Sequence, residues 1–225
     1  MSFSRKFIIV AARALTSLIF RIDDAQLEAV PDKGPLIVFS NHVNFMEVPT
    51  IYTHLQPRTV YGMMLADRWK NPLLRWMLNS TGTIPLHRGQ PNPDAMRKVI
   101  ELLKTGCFLI IMPEGTRSGD GILQPAFPGV VLLALRSGAP LLPIGFYGAE
   151  HYKQNLSRLK RTDFHFVVGK PFSLNARGEA LSASVRQQMT SEIMYRLAAI
   201  LPPAYRGVYA DLTQATQDYL VFPQD

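Results

Sequence analysis

Three short stretches of this chain carry residues able to move a proton and to bind an anion. Asn41-His42-Val43-Asn44-Phe45-Met46-Glu47 places an imidazole five positions before a carboxylate, just after the apolar residues 35–39, which read as a buried strand. An imidazole takes up a proton near neutral pH. It does so best when an anionic acceptor holds its other ring nitrogen, fixing the tautomer and stabilising the imidazolium. Such a pair is the second half of a catalytic triad and requires no protein nucleophile. Five residues advance about 500° around a helix, so His42 and Glu47 do not share one regular helical face. The spacing predicts His42 in the loop leaving the strand and Glu47 in the first turn of the next helix, folded back towards the ring. Pro49 suits that first turn.

The second stretch, Pro113-Glu114-Gly115-Thr116-Arg117-Ser118, follows another buried-strand run, residues 107–112. Both stretches are therefore expected at the C-terminal edge of a sheet, where open α/β sheets bind ligands. Gly115 lets the backbone approach a ligand closely, Thr116 and Ser118 offer hydroxyls, and Arg117 supplies a planar fork suited to phosphate. In the third stretch, Gly82-Thr83-Ile84-Pro85-Leu86-His87-Arg88, Arg88 ends a strand-like run and is expected to converge on the same place. Two arginines and a glycine turn make an anion site. His87 is read as a histidine satisfied by a backbone group at a strand end.

With these residues in view, the chain resembles the glycerolipid acyltransferase family, whose members move a fatty acyl group from coenzyme A or acyl carrier protein to glycerol phosphate or a lysophospholipid. Four blocks carry the resemblance: Asn41 to Glu47, Gly82 to Arg88, Pro113 to Ser118, and the apolar Leu141-Leu142-Pro143-Ile144, together spanning about residues 35–147. The resemblance implies that His42 deprotonates the acceptor hydroxyl and Glu47 orients His42. It implies that Arg88, Glu114, Gly115, Thr116 and Arg117 hold the acceptor's phosphate or glycerol part, and that Pro143 shapes the wall of the site. It further implies an acyl thioester as donor, from coenzyme A or acyl carrier protein, and a lysophospholipid or glycerol-phosphate acceptor. No cofactor is implied. Three positions depart from the family pattern. Glu47 stands where aspartate is usual, residues 124–129 contain no basic residue where many members have one, and His87 replaces a short polar residue.

The chain has 225 residues, enough for one domain with a sizeable core, and its 24 lysines and arginines against 17 acids leave a net charge of +7. That charge favours polyanions or anionic surfaces. The N-terminal segment points to lipid and away from nucleic acid. Residues 7–20 are mostly apolar, but they number fourteen and include Arg13, whereas a spanning helix needs about 20. At 100° per residue, Phe7, Ile8, Ala11, Ala12, Ala14, Leu15, Leu18 and Ile19 form one arc and Arg5, Lys6, Arg13, Thr16, Ser17 and Arg21 the other, with Ile9 and Phe20 intruding on the polar side. Such a helix either lies in a membrane interface or packs on the domain. We therefore divide the chain into an amphipathic segment, residues 1–21, and an acyltransferase domain, residues 22–225, at the cytoplasmic face of a membrane as a peripheral or monotopic protein. Trp69, Leu73, Trp76 and Met77 also recur at helical spacing, as a core stripe, an interfacial anchor or the lining of an acyl groove. The one cysteine, Cys107, lies in an apolar run and reads as a small core hydrophobe, which suits a reducing compartment.

The remaining pattern alternates strand and helix without linkers or repeats. Strands are expected near residues 36–39, 60–64, 83–86, 107–112, 141–146 and 164–168, and helices near 93–104, 128–136 and 182–200. This predicts a single-domain α/β fold with a mixed, largely parallel sheet flanked by helices. A phosphate-binding loop fails at Phe164, where its first glycine belongs, and at Pro171; no G-x-S-x-G elbow occurs; and His42, His54, His87, His151 and His165 form no zinc-ligand pattern. A noncatalytic lipid-binding protein and a transacylase drawing its acyl chain from another phospholipid remain as rivals.

Overall fold

The computed structural model describes residues 2–87 and 92–223. Its elements follow in chain order as α1 (Phe3–Ile19), β1 (Phe20–Asp23), β2 (Leu36–Phe39), α2 (Glu47–His54), β3 (Val60–Leu65), α3 (Pro72–Thr81), β4 (Ile84–Leu86), α4 (Pro93–Lys104), β5 (Phe108–Ile111), α5 (Gly129–Ser137), β6 (Leu141–Tyr147), α6 (Tyr152–Ser157), β7 (Thr162–Val168), β8 (Ser173–Leu174), α7 (Ala183–Ile200) and β9 (Leu220–Val221). Among the described residues the main sheet has seven strands in the order β1-β7-β6-β2-β5-β3-β4. All of its pairs are parallel except β6 with β7. The expected single α/β domain with a mixed, mostly parallel sheet is what the chain forms.

Every residue of β2 is buried because this central strand has apolar partners on both faces. Ile37 and Phe39 join Leu109 and Leu141 in a core closed by Val99 and Leu103 of α4, Val130 and Val131 of α5 and Met189 and Ile193 of α7. Leu36 and Val38 point the other way, to Phe108, Leu142, Ile144, Phe146 and Ile51 of α2. This is why the strand reads as a continuous apolar run and not as an alternation. Cys107 lies in the first of these cores, and burial pushes its thiol up to about 11.

Because β2, β5 and β6 run in the same direction, their C-terminal ends open on one edge of the sheet. The loops after β2 and β5 hold His42 and residues 113–118, so the two principal stretches meet there, as the sheet-edge argument required.

Two readings need correction. α1 begins at Phe3 and passes straight into β1, so the boundary drawn after residue 21 falls inside a strand paired with β7. The helix packs on α2 through a face that includes Ile9, Thr16 and Ile19. Arg5, assigned above to the outward polar arc, turns inward: its Nε donates to Tyr52 Oη (3.0 Å) and its Nη2 to the Val60 carbonyl (3.1 Å). Phe3, Phe7, Val10, Leu15 and Leu18 are left exposed. α1 therefore has two apolar faces, one docked and one open, which a single hydrophobic arc does not describe.

The tryptophan stripe is not core. Pro72 forces Asn71 into an extended conformation, splitting the segment into a 3-10 turn at Ala66–Lys70 and α3. The Asn71 side chain caps the new helix by accepting from Leu74 N at 3.0 Å. Leu73 and Trp76 are 64% and 43% exposed, while Leu78 carries the buried side of the helix. Among the described residues no helix is long and apolar enough to cross a membrane.

Candidate active site

The site starts where β2 runs out of strand partners. Ser40 continues the ladder with its N–H on the Ile111 carbonyl (3.1 Å), and its hydroxyl donates to the Ile144 carbonyl. Asn41 then uses its side chain as a strand would use its backbone. Its Oδ1 accepts from Phe146 N (2.9 Å) and its Nδ2 donates to Phe146 O (2.8 Å), both buried. This releases the main chain from the sheet at a fixed point, and His42 leaves in the loop.

His42 is held on three sides. Its N–H donates to Glu114 Oε1 (2.7 Å), its carbonyl accepts from Ser118 N (2.7 Å), and its Nδ1 lies 2.6 Å from Glu47 Oε1. Glu47 stands in the first turn of α2, as the spacing predicts, and is fully buried. Its second oxygen accepts from Asn44 N at 2.7 Å. With Nδ1 turned to the Glu47 carboxyl group, Nε2 is the nitrogen left to exchange a proton. Among the described residues it has no hydrogen-bond partner, and the His42 side chain is 21% exposed.

Residues 113–118 do two things at once. One part is a clamp: buried Glu114 binds His42 and Gln124 N (3.0 Å), Ser118 N binds His42, and the next residue, Gly119, donates its N–H to Val43 O (2.9 Å). The exposed half is Gly115, Thr116 and Arg117. Gly115 has φ +65, and a side chain there would lie 3.0 Å from the Phe127 ring, so glycine is required on both counts. Among the described residues, neither the backbone N–H groups of Thr116 and Arg117 nor the Arg117 guanidinium has an acceptor. Three donors with no internal partner face outward beside the imidazole loop, an arrangement suited to an anion.

Several expected site residues fall elsewhere. Glu114 is 1% exposed, and both of its carboxylate oxygens accept from backbone N–H groups. Burial pushes it up to about 7, against the pull of the N–H donors and of His42. The cost of that buried charge is absent below the ordinary carboxylate range and grows as pH rises through about 7. Pro143 sits buried inside β6, paired with Phe39 of β2, and its ring would meet any side chain placed at Gly169 (2.6 Å). His87 is exposed, and it is its backbone that is held, by the Asn92 side chain (2.8 and 2.9 Å). Arg88 lies outside the described residues. Among those described, no group of three or more His, Cys, Asp or Glu side chains is arranged to hold a metal.

Asn44 was not singled out from the sequence, although an asparagine three positions before a helical acid is a known local signal. Its Oδ1 accepts from Met46 N (2.7 Å) and its Nδ2 reaches the Ala149 carbonyl (3.2 Å), which shapes the turn that brings Glu47 back to the ring.

A family model described as Acyltransferase matches residues 21–147. A chloroplastic 1-acyl-sn-glycerol-3-phosphate acyltransferase of Brassica napus is 30% identical over 158 residues, which are 68% of this chain and 45% of that protein. A 1-acyl-sn-glycerol-3-phosphate acyltransferase of Bacillus subtilis is 25% identical over 74% of this chain and 81% of its own length. The chain thus spans about half the length of its plastid relatives and most of the bacterial one. The crystal structure of the 1-acyl-sn-glycerophosphate acyltransferase from Thermotoga maritima superposes with a TM-score of 0.64, covering 87% of this chain and 77% of that one at 22% identity, which establishes a common fold.

Asn41→Ala leaves the buried N–H and carbonyl of Phe146 without these partners, at a cost of about 1–3 kcal/mol for each unsatisfied group. Urea denaturation followed by circular dichroism should show a lower midpoint with an unchanged slope; an unchanged midpoint would remove this role from Asn41.

Proposed function

We propose a reaction for this chain, which belongs to the acyltransferase family: it moves a fatty acyl group from an acyl thioester to the hydroxyl of a lysophospholipid or glycerol-phosphate-type acceptor. The observation that carries this reading is the 2.6 Å contact of His42 Nδ1 with the buried carboxylate of Glu47, which leaves Nε2 open beside three unpartnered donors.

Nε2 of His42 takes the acceptor's hydroxyl proton as that oxygen attacks the thioester carbonyl carbon. Glu47 stabilises the imidazolium so formed. The tetrahedral intermediate collapses by breaking the C–S bond, and the imidazolium proton goes to the departing thiolate. The products are an ester and a free thiol, and His42 returns to its neutral form. No acyl group rests on the protein. The acceptor's anionic group is met by the Arg117 guanidinium with the backbone N–H groups of Thr116 and Arg117, where Gly115 allows close approach. Relatives named as 1-acyl-sn-glycerol-3-phosphate acyltransferases support a phosphate-bearing acceptor. Both coenzyme A and acyl carrier protein fit as the thiol carrier.

The enzyme works at a membrane surface in this reading. α1 and α3 pack on each other, and each exposes large apolar side chains, Phe7, Leu15 and Leu18 from one and Leu73 and Trp76 from the other. Lys6 and Arg13 of α1 and Arg75 of α3 are exposed as well. Apolar residues entering the acyl boundary with cations at headgroup level is the pattern of a peripheral lipid-binding face.

Purified protein with an acyl-coenzyme A and a panel of lysolipids should release thiol. His42→Ala should lower turnover by a factor on the order of 10² to 10⁴ with an unchanged circular dichroism spectrum, and near-normal turnover would refute the base assignment. Arg117→Ala should raise the acceptor KM by roughly 10- to 100-fold, the loss of a charge-assisted contact, with donor KM unaffected; an unaltered acceptor KM would take the anion grip away from Arg117. Replacing exposed Phe7 and Leu18 together with serine spares the docked face of α1 and should weaken sedimentation with anionic vesicles at least tenfold, since each such side chain contributes about 1.5–3 kcal/mol when buried. Equal sedimentation of the two forms would dismiss the lipid-binding face.

A further inference from the structure

We propose that Glu114 is a positioning residue that fixes the proton-accepting histidine, and that it makes no contact with the acceptor. The argument rests on the acyltransferase reading and deepens it.

A carboxylate beside a candidate ligand site would ordinarily be assigned to the ligand. Here the geometry assigns it inward. Glu114 Oε1 accepts from His42 N at 2.7 Å and Oε2 from Gln124 N at 3.0 Å, and the residue is 1% exposed. One side chain thus ties the loop after β2 to the segment that leads into α5. The neighbouring backbone extends the tie, with Ser118 N on His42 O and Gly119 N on Val43 O. His42 is consequently gripped at its N–H and its carbonyl by the same six-residue stretch that presents Arg117 outward. The ring position relative to Glu47 and the donor position relative to the ring are set by one rigid connection.

The ionised carboxylate makes both bonds at full strength. Protonation leaves one oxygen a hydroxyl, a poor acceptor for an N–H group, so one of the two links is weakened. The titratable groups acting on Glu114 are His42, which lowers it, and Glu47, which raises it, and Glu114 in turn acts on Tyr209. Burial outweighs the rest and brings its ionisation to about 7, inside the working range of an imidazole. Folding favours the neutral acid, and the positioning role needs the anion, so the site loses alignment as pH falls through that value. The sign is opposite to that of the stability term, which improves as Glu114 becomes protonated.

The test uses the full chain and Glu114→Gln, which keeps the size and one acceptor oxygen. The expected result is a kcat lower by about ten- to a hundredfold, equivalent to roughly 1.4–2.8 kcal/mol, with the acceptor KM unchanged within twofold. The acid limb of the kcat profile should become less steep, because one of its ionisations is gone. A raised acceptor KM with an unaltered profile would overturn the proposal in favour of direct acceptor contact. A second measurement needs neither turnover nor a Glu114 variant. In the wild-type chain the backbone amide resonances of His42 and Gln124 should titrate together with a midpoint near 7, and an invariant Gln124 amide would overturn the proposal. Absence of thiol release from the wild type with every donor and acceptor pair would defeat the acyltransferase reading alone, because the amide titration still decides the role of Glu114.

Discussion

A partly solvated imidazole on a loop must be held still, and the rest of this structure serves that constraint. Loops lack the repeating hydrogen bonds of a helix or strand and move more than the elements they connect. The loop after β2 escapes that rule because each backbone group of His42 has a partner from another segment, and its ring has Glu47. The partners come from the loop after β5, and the parallel pairing of β2 with β5 is what brings the two loops to one edge. The exposed donors of Thr116 and Arg117 are consequently carried on the backbone that grips His42.

The same device recurs away from the site. Among the described residues three glutamates are almost fully buried, Glu47, Glu114 and Glu192; Glu47 holds its own loop through Asn44 N and the His42 ring, and the other two take main-chain N–H donors from distant parts of the chain. Glu192 on α7 accepts from Thr216 Oγ1, Asp218 N and Tyr219 N at 2.8, 2.9 and 3.1 Å, which ties down the segment entering β9. A buried carboxylate without donors is costly. One supplied with two main-chain N–H groups, as Glu114 and Glu192 are, becomes a crosslink between segments that share no regular hydrogen-bond ladder. This also accounts for the longer acid at position 47. From the first turn of α2, a glutamate side chain reaches both His42 Nδ1 and Asn44 N, one oxygen to each. The length of the glutamate side chain is used in making that span.

Much of the architecture was legible because the core is two-sided and uninterrupted. The apolar runs that became β2, β5 and β6, the proline-to-glycine framing of α4 and the turn at residues 119–121 each follow from local chemistry. The illegible parts are those where a residue's role depends on a distant partner. The antiparallel entry of β7 beside β6 depends on what the intervening segment does, and the pairing of β1 with β7 across Arg21 and Asp163 joins segments more than a hundred residues apart. Arg5 looks like a headgroup-facing cation until Tyr52 and the Val60 carbonyl are beside it. The tryptophan stripe looks like core by periodicity, yet the cores are filled from other helices and α3 is left at the surface.

By itself the sequence determined the pairing of His42 with Glu47, since a five-residue step from strand end to first helical turn leaves the acid little choice but to fold back on the ring. It also determined the outward glycine, hydroxyl and arginine of residues 115–117 and the α/β class, through spacing and periodicity that act within a few residues. Tertiary structure alone decided what Glu114 does. A carboxylate's chemistry is the same whether it meets a ligand or the backbone of a loop 72 residues earlier, and only the packing of β2 against β5, which buries it at their common edge, selects between the two.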